Sequence, residues 1–121
     1  KKAVELARSG TSESDVAKGQ AVDLYAADNW LAWLLATCPD ERYRSGEEAV
    51  RLGREAVRII STPESRDTLA AAYAETGRFE DAVQEQEAAI ASLNDYGKRI
   101  YLKKFQARLA LYRQGKPYRE P

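Results

Sequence analysis

The stretch TLAAAYAETGRFEDAVQEQEAAI, residues 68–90, decides the fold. Seven alanines stand among a few large residues, around a single Gly77. Apolar residues recur at intervals of three and four on both sides of that glycine, the period of an amphipathic helix. Two helices joined by a tight turn follow, and the alanines then have a physical task. Antiparallel helices approach closely only where side chains are small. Ala70, Ala82 and Ala89 are therefore expected at contact points, with Leu69, Tyr73 and Phe79 filling the spaces between them. Gly77 permits the turn, with a positive φ expected because glycine has no Cβ to clash.

The same unit recurs upstream. EEAVRLGREAV at 47–57 lies over EDAVQEQEAAI at 80–90, pairing Ala49 with Ala82 and Ala56 with Ala89 at a shift of 33. LAWLLA at 31–36 lies over LAAAYA at 69–74 at a shift of 38, so the first copy carries five extra residues in the loop TCPDERYRSG. Ala32, Ala49 and Ala56 join the expected contact points, and Leu31 and Leu35 join the fillers. Self-similarity at a period of roughly 34 residues is the mark of a helical repeat.

At these residues the chain resembles the tetratricopeptide repeat family. That pattern wants a large residue, then Leu-Gly/Ala, then Tyr, Gly in the turn, then Ala, an aromatic and Ala. The second copy supplies Leu69, Ala70, Tyr73, Gly77, Ala82 and Ala89, with Phe79 as the aromatic after the turn. It departs at Arg66, where Trp is usual, at Gln86, where an aromatic is usual, and in lacking a closing Pro. The first copy supplies Leu31, Ala32, Leu35, Ala49 and Ala56, and departs at Gly53 and in its long loop. The resemblance covers residues 28–94. It implies an all-α fold of antiparallel helix–turn–helix repeats, an α-solenoid, with repeat 1 at 28–60 and repeat 2 at 63–94. An N-terminal helical segment at 1–27, a capping helix at 98–114 and a tail at 115–121 complete the single domain. The ending LYRQGKPYRE, after an LAWLLATCPD-type repeat, is similar to the terminus of many bacterial proteins of this family.

The flanks follow from breakers and caps. KKAVELARS reads as the second helix of a preceding repeat, and the missing Met suggests a piece of a longer protein. Ser12 and Asp15 form a plausible capping box. Residues 13–26 and 28–37 read as two helices, with one long helix as the rival because no strong breaker separates them. Thr62 and Pro63 cap and open a helix. Asn94-Asp95-Tyr96-Gly97 reads as a turn, and Gly115 followed by Pro117 as a helix stop. Ile100, Leu102, Phe105, Leu109 and Tyr112 would cover Tyr73, Ile90 and Leu93 of the last repeat.

Composition excludes much chemistry. The 121 residues contain no histidine, which removes His-based acid–base catalysis, Ser-His-Asp triads and His metal sites. Neither GxGxxG nor GxxxxGK[ST] occurs. Glu47-Glu48 and Glu80-Asp81 fall in first helical turns, where acid complements the helix dipole. No enzyme activity, cofactor or metal is expected. Cys38, the single cysteine, allows no internal disulfide and reads as a buried small side chain. No apolar run reaches the roughly 18 residues of a membrane helix, and no signal peptide is visible.

Net charge is zero, but its distribution is uneven. Residues 98–121 hold eight Lys/Arg and one acid (+7), and residues 1–97 hold 11 basic and 18 acidic residues (−7). A basic helix can bind nucleic-acid phosphates. Packing beside the acidic helices around Glu64, Asp67, Glu75, Glu85 and Glu87 is the favoured reading, because base-reading motifs are missing.

The family's register implies a groove lined by the first helix of each pair. Its inward positions fall at Asn29, Trp33 and Ala36, then at Asp67, Ala71 and Glu75, with Lys98, Tyr101 and Phe105 from the terminal helix. Such a groove would hold a peptide or partner helix. Core packing is the other reading for Trp33. The carboxylate clamp that binds chaperone tails is not implied, since Trp33 replaces a needed Asn and Asn29 stands in a Lys place. The alternative function is architectural: an array terminus or a self-association module. The expected partner is a protein or peptide, or a second copy, rather than a membrane or nucleic acid.

Overall fold

The computed structural model describes residues 13–121. Ser12 and the KKAVELARS segment lie outside them. Among the described residues the chain is all-helical, with no strand, and no helix is long and apolar enough to cross a membrane. The helices are α1 (Glu13–Thr37), α2 (Gly46–Ile59), α3 (Pro63–Glu75), α4 (Phe79–Ala91) and α5 (Asp95–Arg113). A short 3₁₀ turn, Glu41–Tyr43, sits in the long first loop.

One expectation is corrected at once: residues 13–37 form one helix of 25 residues, not two. Ala26, Ala27, Asp28 and Asn29 offer no glycine or proline at which to break. Asp28 turns inward and is buried, and the helix runs through the proposed joint.

The other boundaries show their causes. The Thr62 hydroxyl accepts from Ser65 N while Ser65 Oγ accepts from Thr62 N, a reciprocal cap ahead of Pro63. Gly77 adopts φ +83°, and the N–H groups of Gly77 and Arg78 donate to Ala74 O and Tyr73 O. That is a Schellman motif, closing the carbonyls that α3 would leave open. The expected turn at 94–97 is instead the start of α5. Asn94 is its cap, accepting from Gly97 N at 2.7 Å, and Asp95 lies in the first turn.

Packing is sequential. α1 lies on α2 and α3, α2 on α3, α3 on α4, and α4 on α5. This is consistent with a helical repeat. Ala32, Ala49, Ala56, Ala70, Ala82 and Ala89 are all fully buried, as close approach requires. A larger side chain at any of them overpacks the seam at a cost of about 1–3 kcal/mol. Phe105, Leu109 and Tyr112 of α5 are buried, and Phe105 packs with Ala89, Leu93 and Ile90.

Three apolar expectations need correction. Leu31 and Ile100 are each 43% exposed, because each lies on a helix face against which no described element packs. Cys38 is only partly covered, one residue beyond the end of α1.

Candidate functional site: the α1–α3–α5 face and the segment seated on it

The site is built around a buried ion pair. Asp67, in the middle of α3, accepts from Gln86 Nε2 on α4 at 2.9 Å and from Arg108 Nη1 on α5 at 2.7 Å. Gln86 Nε2 also donates to the Phe105 carbonyl at 3.1 Å. One carboxylate therefore ties three helices together. Burial pushes its carboxyl above the usual carboxylate range, against the pull of Arg108. Asp67 is thus a structural group and not an open groove charge. Breaking such a buried pair from one side costs about 3–5 kcal/mol.

Arg108 carries this anchor outward. Its guanidinium carbon lies 4.7 Å from the ring centroid of Trp33 on α1 and 4.6 Å from that of Tyr118. The two rings are 5.7 Å apart and inclined by 37°. The guanidinium thus lies against both rings, which also touch each other, and a cation over aromatic faces is held by their quadrupoles, more strongly where water is displaced.

The local sequence explains how Tyr118 gets there. Gly115 takes φ +69°, and the N–H groups of Gly115 and Lys116 donate to Tyr112 O and Leu111 O. α5 is thereby closed and the chain reversed, as Gly115 predicted. Pro117 cannot resume a helix, and the segment returns to the end of α1. There Glu120 N donates to the Thr37 carbonyl at 2.9 Å, and Trp33 Nε1 donates to Glu120 Oε1 at 2.8 Å. Arg119 Nη1 lies 2.6 Å from Glu75 Oε1, and Arg44 Nε lies 3.4 Å from Glu75 Oε2. Beside the segment opens a cleft of about 380 Å³, lined in part by Lys104, Ala107 and Leu111.

The predicted site residues separate into two groups. Trp33 and Glu75 touch the returning segment directly, and Asp67 reaches it through Arg108. Ala71 is buried in the cluster that also holds Ala36 and Tyr112, against which Tyr118 packs. Asn29 is half-buried, one turn before Trp33. Lys98 is exposed and Tyr101 stacks on Phe105 at 5.5 Å, nearer the start of α5. No contact joins these two to the segment among the described residues.

Arg108, Tyr118, Glu120 and Thr37 escaped the sequence reading. The available signal was Gly115 followed by Pro117, which announces the stop of α5; nothing local says where the tail goes. Three of the eight basic residues at 98–121 pair with acids of the preceding helices: Arg108 with Asp67, Arg113 with Glu87 and Arg119 with Glu75. Compared with protein-family models, curated proteins and solved structures, the chain matches none.

Proposed function

We propose that this chain is a protein-interaction module of the tetratricopeptide type, whose concave α1–α3–α5 face binds an extended peptide or a partner helix, and that it is not an enzyme. The observation that carries this reading is residues 117–120 lying on that face. They are held by one backbone hydrogen bond to Thr37 and by side-chain contacts to Trp33, Glu75 and Arg108. Main-chain bonding plus pockets for alternate side chains is how folded domains read extended segments. The groups gathered here are aromatic rings, an amide and paired charges, which suit recognition.

The test is a heptapeptide display selection on the full chain carrying Glu120→Ala, which removes the acceptor of the Trp33 indole N–H. Enrichment of sequences that bind this variant, and lose binding when Trp33→Ala is added, is the expected result. Failure to enrich any sequence over the Trp33→Ala control would refute the reading.

A second reading has its own observation. Trp30, Leu31 and Leu34 stand exposed on α1, with Trp30 at 65%. Such an apolar face favours an array neighbour or a second copy. Concentration-dependent sedimentation, abolished by Trp30→Ser, would support it.

A further inference from the structure

The geometry points to a regulated groove: its partner is an extended segment with an aromatic, a basic and an acidic residue in consecutive order, and Tyr118-Arg119-Glu120 is the resident competitor that this partner must displace. The inference rests on the interaction-module reading and names the ligand class and the control of that site.

Each element of the order has its own receptor. Tyr118 packs against both the Trp33 ring and the Arg108 guanidinium. Arg119 meets Glu75, whose other carboxylate oxygen faces Arg44. Glu120 accepts from the Trp33 indole N–H, and its own N–H donates to the free end of α1 at Thr37 O. Tyr118 and Glu120 both meet Trp33 on α1, while Arg119 between them meets Glu75 on α3. The receptor is rigid because Arg108 is fixed by Asp67, which is fixed by Gln86.

The segment is held mainly through its side chains. Beyond Lys116, one backbone hydrogen bond ties it down among the described residues. Its ion pair to Glu75 is partly open to water, and a cleft opens beside it, lined in part by Tyr118 and Glu120 themselves. A tether this short gives an effective concentration of about 1 mM. A segment with an intrinsic affinity of about 0.1 mM would then weaken a competing peptide by about tenfold.

The test uses the full chain with Trp30→Phe. Only two tryptophans are present, so emission then reports Trp33 alone. The probe is the hexapeptide Lys-Pro-Tyr-Arg-Glu-Pro, titrated into this chain and into the same chain carrying Tyr118→Ala. The expected result is saturable binding to Tyr118→Ala, at least tenfold tighter than to the Tyr118 chain, and lost with a scrambled peptide. Equal affinities would overturn the competitor role, and equal binding of the scrambled peptide would overturn the ordered recognition. Should Tyr118→Ala lose helicity by circular dichroism, Arg119→Glu with Glu120→Ala serves as the opened chain under the same criteria. An opened chain that binds display-selected peptides but not this one refutes the inference and leaves the module reading standing. One that binds no peptide refutes both.

Discussion

The two helical hairpins carry the same seam and live in different surroundings. Ala32, Ala49 and Ala56 of the first, and Ala70, Ala82 and Ala89 of the second, are equally buried. Around that seam the hairpins diverge. In α3 nine of 13 residues are buried, because α1, α2 and α4 pack on it and Arg108 of α5 reaches it. In α1 the face carrying Trp30, Leu31 and Leu34 stays open. Leu31 and Leu69 occupy equivalent places, yet one is 43% exposed and the other 4%. Gly53 and Gln86 are a second equivalent pair. A Cβ on Gly53 would lie 3.2 Å from Leu69, so glycine lets α3 settle onto α2. Gln86, with α5 as its neighbour, reaches out to Asp67 and Phe105 instead. The seam belongs to the hairpin, and everything else depends on what lies beside it.

The largest effect tests whether α5 completes the second hairpin. Phe105→Ala should cost about 3–5 kcal/mol in urea unfolding. A loss below about 1 kcal/mol would mean that α5 is not part of the cooperative core. The matched leucines come next. Leu69→Ala should cost about 2–5 kcal/mol and Leu31→Ala less than about 1 kcal/mol. Equal losses would break the comparison outright.

Gln86→Ala should cost about 1–3 kcal/mol, since it strips a donor from the buried Asp67 carboxylate and the Phe105 carbonyl. Asp67 adds a smaller, pH-dependent effect. Its folded pKa is raised, so the native state keeps the proton after the unfolded chain has lost it. Stability from this group is therefore present below the ordinary carboxylate value of about 4 and falls as pH rises towards the folded value. Asp67→Asn should remove that downward slope from the stability–pH curve; an unchanged slope would assign it to another group. Smallest of all, Trp30→Ser should change stability by no more than about 0.5 kcal/mol. A large loss would show that the open face of α1 is covered in solution.

The hairpins, their alanine contacts and the positive φ at Gly77 were legible in the sequence because each depends on local spacing. A 3.6-residue period, a cap and a glycine act within one or two turns, so they can be read without knowing the neighbours. The division of residues 13–37 was misread for want of a local signal: no glycine or proline stands at 26–29, and the helix runs on through them. The site was half legible. Trp33 and Glu75 were placed from the repeat register, but Asp67 was taken for an open charge because its partners, Gln86 and Arg108, lie 19 and 41 residues away. Tyr118 and Glu120 were invisible as site residues for the same reason. Sequence alone determined that α5 stops at Gly115 and Pro117 and that a short tail follows. Only the tertiary structure decided that this tail lies across Trp33, because that position depends on α1 and α5 being brought together by the helices packed between them.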